Sequence, residues 1–252
     1  MFSINREDLF GGRPYKMGNI CTIHQLTLKE AIDTIGISKY QYYIGLFIMD
    51  EDDLQELFKK KGVDAPYTSV WEYLLSSAEY DKDFFIEFKT GLTTFIKEEI
   101  LISPKTKSII IGSPLQRRIF GEEQFKEFQL VLRAFNRLRI PTPPPENETP
   151  MQKRFRLKRE LREKTKEKQR QKSDNGDDDV IEMMDLMSSL CVFFKKLPRE
   201  IEELTFYQAK ELLERAQARQ TYHTELDMLM AGADSKKIKP INWFRNLQKE
   251  VN

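Results

Sequence analysis

Apolar positions recur every three or four residues over most of this chain, the spacing of one face of an α-helix. Tyr40, Tyr43 and Phe47, with Ile44 and Ile48 beside them, make one such stripe, and Ser38 stands where it can cap the helix. Phe84, Phe88, Leu92 and Phe95 make a second from about Lys82, despite Gly91. Phe125, Phe128, Leu132 and Phe135 make a third, opened by Gly121 with Glu122 and Glu123 in its first turn and predicted to run to Arg139. A fourth, Ile181, Met184, Met187, Cys191 and Phe194, lies between Val180 and Phe194, with Pro198 ending or kinking it.

Capping boxes mark further helix starts, because a hydroxyl can accept from a first-turn N–H while an acidic or amide side chain reaches back. Thr27 with Glu30 opens a short helix ending near Gly36, and Ser69 with Glu72 opens one through Tyr73, Leu74 and Leu75. Thr205 with Gln208 opens a long helix through Leu212, Leu213, Ala216 and Leu226 towards Gly232, roughly 40 Å at 1.5 Å per residue. That exceeds what a small core needs, which suggests a partner along part of its length. Asp50 to Asp53 and Lys59 to Lys61 bracket another helix with charges that suit its dipole. β-Branched runs at Ile100-Leu101-Ile102 and Ile109-Ile110-Ile111 flank a turn and predict a single hairpin. The first twenty residues, with Gly11, Gly12, Pro14 and Gly18, read as a turn-rich lead before regular structure begins.

The pattern breaks between Pro141 and Asp179. A proline cluster gives way to eleven basic residues between Lys153 and Lys172 against Glu160, Glu163 and Glu167, and then to Asp174, Asp177, Asp178 and Asp179. Such a segment buries too little apolar surface to offset its ordering entropy, so it reads as a linker or an exposed helix. The predicted architecture is mainly α: a helical domain with one β-hairpin over residues 1–140, a proline-rich and charged linker over 141–179, and a small helical module over 180–252.

The 252 residues carry a net charge of only +1, so the basic run leaves the remainder net acidic and the polarity is local. Lys153, Arg154, Arg156, Lys158 and Arg159 are candidate polyanion contacts. Phe155 is the sole aromatic among them, and the glutamates are spaced as helix-stabilising partners, so a spacer helix is favoured over nucleic-acid binding. Cys21 and Cys191 sit in apolar surroundings and read as buried thiols in a reducing cytoplasm. No signal segment or membrane span is predicted. His24 and His223 lie far apart and outside metal-ligand spacing, and the chain carries no phosphate loop, nucleophile elbow or dinucleotide fingerprint. Gly11-Gly12 reads as a turn. Paired carboxylates such as Glu98-Glu99 fit helix-end charge better than acid–base chemistry. A non-enzymatic protein without metal or cofactor is therefore expected. Its candidate protein-binding residues are Phe206, Tyr207 and Leu213 on the long helix and the Trp243-Phe244 pair after Pro240.

Gly121-Glu122-Glu123-Gln124-Phe125 through Arg133, Phe135 and Asn136, a charged linker, Leu204-Thr205-Phe206-Tyr207-Gln208 and the closing Lys237-Ile238-Lys239-Pro240-Ile241-Asn242-Trp243-Phe244 follow in that order. Together they resemble the tail assembly proteins of tailed bacteriophages, in particular the tail assembly chaperones encoded just before the tape measure protein. The resemblance implies a non-enzymatic factor in the host cell cytoplasm that holds the tape measure protein and recruits tail tube subunits. The alternatives are a virion structural or connector protein and a nucleic-acid-binding protein using the basic run. Homo-oligomerisation, the identity of the client and the host stay open at this stage.

Overall fold

The computed structural model describes residues 4–60, 62, 66–103, 106–138, 149, 151, 154, 178–234, 238 and 240, without the side chains of 178–182. Regular structure begins earlier than the glycines of the lead suggest. Asn5 caps helix α1 (Arg6–Phe10) by accepting from the Glu7 N–H at 3.1 Å. Gly12 and Gly18 then take positive φ to turn the chain into and out of β1 (Tyr15–Met17), which pairs antiparallel with β2 (Cys21–Ile23). The Tyr15 hydroxyl donates to Glu127 at 2.6 Å and pins this hairpin to a later helix.

The Thr27 capping box forms as expected: the Glu30 N–H donates to Thr27 Oγ1 at 3.1 Å, and the Thr27 N–H donates to Glu30 at 3.0 Å. The turn it opens is π-helical (Glu30–Ile35) and stops at Gly36. Gly36, at φ +87°, leads directly into α2 (Ile37–Ile48), so Ser38 lies inside the helix and does not cap it. α3 (Glu51–Lys60) carries the predicted acidic start and basic end. In α4 (Val70–Tyr80) Ser69 accepts from the Glu72 N–H at 3.2 Å, but Glu72 reaches back one residue further, to the Thr68 N–H and hydroxyl. Asp81 caps α5 (Lys82–Ile96).

The aromatic stripes meet in the core. Phe47 of α2 lies edge-on to Phe95 of α5 and to Phe128 of α6 (Glu122–Phe135). Gly91 lets α2 and α5 approach: a Cβ there would stand 2.9 Å from Phe47 ring carbons and 3.0 Å from Tyr43. The predicted hairpin is present as β3 (Ile100–Ser103) and β4 (Ser108–Ile111), and β5 (Arg118–Phe120) extends it to an antiparallel three-stranded sheet. The single hairpin thus becomes two small sheets, because strands of three residues are too short to show a period of two. The fold is mainly α-helical, as the periodicity predicts.

α6 ends at Phe135, short of Arg139, because Asn136 leaves the helix and Arg137 adopts a left-handed φ of 52°. Beyond the proline-rich stretch come α7 (Asp178–Phe194), α8 (Pro198–Ile201) and α9 (Phe206–Met230). In α7 the buried residues are Met183, Met187 and Leu190, and Cys191 is half-buried, whereas Met184 and Phe194 face solvent. The predicted stripe is therefore rotated: this helix is apolar on more than one face, and spacing alone does not choose among faces. α7 ends at Phe194 with Lys195 at positive φ, so Pro198 neither ends nor kinks it but opens α8, where its missing N–H costs nothing. Met183, Met187, Leu190, Ile201, Phe206 and Tyr207 share one continuous core with the aromatic residues of α2, α5 and α6. Among the described helices none is long and apolar enough to cross a membrane.

Replacing Gly91 by alanine should destabilise the protein by about 1–3 kcal/mol through overpacking, although alanine favours a helix. Urea unfolding followed by far-ultraviolet circular dichroism measures this, and an unchanged or raised midpoint would contradict the close packing of α2 on α5.

Candidate functional site

The candidate surface is α9, and its geometry follows from how its first turns are held. Leu28 N–H donates to the Leu204 carbonyl at 2.8 Å and Lys29 N–H to that of Glu202 at 2.9 Å, while Thr27 and Thr205 form an antiparallel bridge. The backbone before α9 is thereby fixed against the segment that opens the π-helical turn. The third capping box then forms as predicted: Gln208 N–H donates to Thr205 Oγ1 at 3.3 Å, and Thr205 N–H donates to Gln208 at 2.8 Å. The same Gln208 side chain donates to the Phe10 carbonyl at 2.8 Å. Phe206 stacks on Tyr40 with ring centres 4.4 Å apart and planes within 9°.

One turn on, Glu211 is only 3 % exposed and sits among arginines. Arg137 Nη1 lies 2.7 Å from its Oε2, Arg215 Nε donates to Oε1 at 2.8 Å, and Arg6 pairs with Oε1 as well. Arg137 also pairs with Glu214 at 2.6 Å and places its guanidinium 5.4 Å from the centre of the Tyr207 ring. Burial by itself would raise the Glu211 pKa, but the charge of Arg137 and the bonds from Arg215 and Arg6 outweigh it and hold the carboxyl below its ordinary value of 4.5. Nothing in the sequence singles this residue out. Glu211 reads as one of many helix-face carboxylates, and its buried arginine partner is 74 positions earlier.

After Glu211 the character of α9 changes, and no residue from Leu212 to Met230 is buried. Leu212, Leu213, Ala216, Tyr222, Leu226 and Leu229 are half-covered, while Met228 and Met230 are exposed. The structure therefore divides the predicted binding residues. Phe206 and Tyr207 belong to the core, since they sit in the turn that anchors the helix, and they offer no accessible surface. Leu213 is partly accessible. Trp243 and Phe244 lie outside the described residues, as do Lys153, Arg156, Lys158 and Arg159; Arg154 is described, and it is exposed.

Two of the remaining reactive side chains are shifted by their surroundings. Burial, and to a lesser degree the charge of Glu98, push the Cys21 thiol up to about 12, far from the range of a nucleophilic thiolate. Burial and the neighbouring Lys97 lower the His24 pKa, and His223 is exposed on α9. His24, Gln25, Tyr40, Phe95, Asn136 and Phe206 line a cavity of about 10 Å3, which has room for one water and none for a metabolite. Among the described residues no group of three histidine, cysteine or acidic side chains is placed to hold a metal ion.

Residues 168–248, which contain α7, α8 and α9 in full, match the family model for the YomV second domain. YomV is a Bacillus phage-encoded protein, and the match suggests a phage protein. No curated protein and no solved structure matches the chain.

Replacing Glu211 by alanine should cost about 3–5 kcal/mol, because it removes the buried partner charge of Arg137 and leaves that guanidinium only the half-exposed Glu214. Since the folded carboxyl titrates below 4.5, its stabilisation is complete above that pH and disappears as pH falls through the lowered folded value. Denaturant unfolding of the wild type and of Glu211→Gln should thus differ at pH 7 and converge in acid. A difference that stays constant with pH would contradict the charge network.

Proposed function

We propose that this chain is a non-enzymatic phage tail assembly factor that binds the tape measure protein and helps recruit tail tube subunits in the host cell cytoplasm. The observation that carries this reading is the division of α9 into an anchored first turn and a half and a long remainder with no buried residue. A helix held rigidly at one end presents its free length to an elongated client without first having to be ordered, so little entropy is lost on binding. Half-covered leucines and exposed methionines along that length supply adaptable apolar contacts. The order of elements shared with tail assembly chaperones and the phage-related match over α7 to α9 support the same reading. Trp243 and Phe244 are candidate contacts from the sequence alone.

Co-expression with the tape measure protein of the same genome, followed by affinity capture and mass spectrometry of the complex and of finished particles, tests it. The expected result is a soluble complex that is absent from mature virions. Met228→Glu with Met230→Glu, and Trp243→Ala with Phe244→Ala, should each reduce capture by about tenfold or more, the loss typical of central interface contacts, with unchanged circular dichroism. Retention in the particle would make the chain a virion component, and failure to capture the tape measure protein would overturn the reading.

A further inference from the structure

The three-stranded sheet is apolar on both of its faces. Ile100, Ile109, Ile111 and Phe120 point into the core and are at most 1 % exposed, so alternation along the strands turns Leu101, Ile110 and Ile119 outward. These three stand in register, Leu101 opposite Ile110 and Ile110 opposite Ile119. They form one row of cross-strand neighbours over β3, β4 and β5, with Leu101 40 % exposed, Ile119 70 % exposed and Ile110 half-buried between them. An antiparallel sheet with one face in water normally turns polar residues to that side. An apolar row in their place marks a contact surface.

The charges beside the row indicate what covers it. Glu98 and Arg118 pair with each other on the side of Ile100 and Ile111, so their neighbours Glu99 and Arg117 alternate to the outer side. The Gly112 N–H donates to the Glu99 carbonyl at 2.9 Å, and Arg117 directly precedes β5. Glu99, Gly112 and Arg117 thus follow a line parallel to the apolar row, with the acid at the β3 edge and the base at the β5 edge. Both charges are exposed, and neither forms an ion pair among the described residues. On the other side of the row Ser103 and Ser108 carry no charge, and each shares a hydrogen bond of 2.7 Å with the Thr106 hydroxyl. A uniformly acidic or basic partner would match one edge of this face and repel the other. A second copy turned about an axis parallel to the strands matches both, because that rotation exchanges the edge strands and keeps the rows in place.

We propose that the outer face of this sheet is a self-association surface on which a second copy of the chain stacks its own sheet, about a two-fold axis that runs along β4. Ile110 of one copy then meets Ile110 of the other on the axis, and Leu101 of each meets Ile119 of the other, as a symmetric interface requires. Glu99 of each copy stands opposite Arg117 of the other, which gives two ion pairs at one end of the contact. An axis across the strands would set Glu99 against Ser103 and leave both charges unmatched. The two rows interdigitate at the spacing of about 10 Å found between packed sheets. A face of three short strands is small, so the dimer is weak and depends on concentration. No residue of α9 belongs to it, so dimerisation and client capture succeed or fail independently.

Analytical ultracentrifugation of the full chain between about 20 μM and about 1 mM, the range suited to an interface at the small end of the size scale, should show a mass that rises from 29.9 kDa towards twice that value. Ile119→Lys, at an exposed position on the edge strand, should sediment as a monomer with the circular dichroism of the wild type. Glu99→Arg sets base against base across the interface and Arg117→Glu sets acid against acid, so each alone should weaken self-association by about tenfold or more. The two variants mixed in equal amounts should form heterodimers, and Glu99→Arg with Arg117→Glu in one chain should restore the homodimer, both weakening as salt is raised. A wild type that stays monomeric at the highest concentration, or a dimer that survives Ile119→Lys, would overturn the proposal. Correctly folded charge variants that do not associate when mixed would overturn the two-fold arrangement along the strands.

Discussion

A carboxylate out of contact with water is tolerated only where positive charge and hydrogen bonds replace its hydration, and the position of the C-terminal helices rests on one such group. Glu211 draws Arg6 from the first helix, Arg137 from the turn after α6 and Arg215 from its own helix onto one pair of oxygens. Two of these arginines come from parts of the chain separated from α9 by the proline-rich and basic stretch. The interaction is directional, so it sets where α9 leaves the body as well as holding it there. Arg137 reaches the site only because the chain turns left-handed at the end of α6, which is also why that helix stops where it does.

Around this point the apolar contacts fall into place. Phe206 stacks on Tyr40, whose hydroxyl donates to Asn136 at 2.6 Å, and Asn136 is the residue on which α6 ends. The backbone bonds from Leu28 and Lys29 fix the approach to α9, and Gln208 binds the carbonyl of Phe10. Four separate segments therefore converge on the first turn and a half of one helix. Past that turn and a half none of the residues from Leu212 to Met230 is buried, so anchoring and exposure are two ends of one element. The proposed client surface lies outside the region that the core requires.

Much of the secondary structure is legible because its causes are local. The boxes at Thr27 and Thr205 close between groups three residues apart, and the hairpin from Ile100 to Ile111 announces itself by β-branched runs around a turn. The aromatic stripes of α2, α5 and α6 are legible for a similar reason, since each helix has one strongly apolar face. Legibility falls where two local causes compete. Gly36 displaces Ser38 as the start of α2, Thr68 takes the carboxylate expected at Ser69, and β1, β2 and β5 are too short to register.

The amino-acid sequence by itself determined that the chain is mainly helical, where the helices opened by the boxes at Thr27 and Thr205 begin and that the aromatic stripes of α2, α5 and α6 line its core. These depend on side chains within a turn of one another, whose geometry is set before any tertiary contact exists. Only the tertiary structure decided which face of α7 is covered, that Phe206 and Tyr207 are core and not surface, and that Glu211 is a buried ionic centre. α7 offers more than one apolar face, and the choice belongs to the helices it meets. Arg6 and Glu211 stand 205 positions apart, and no local spacing records a partner at that distance.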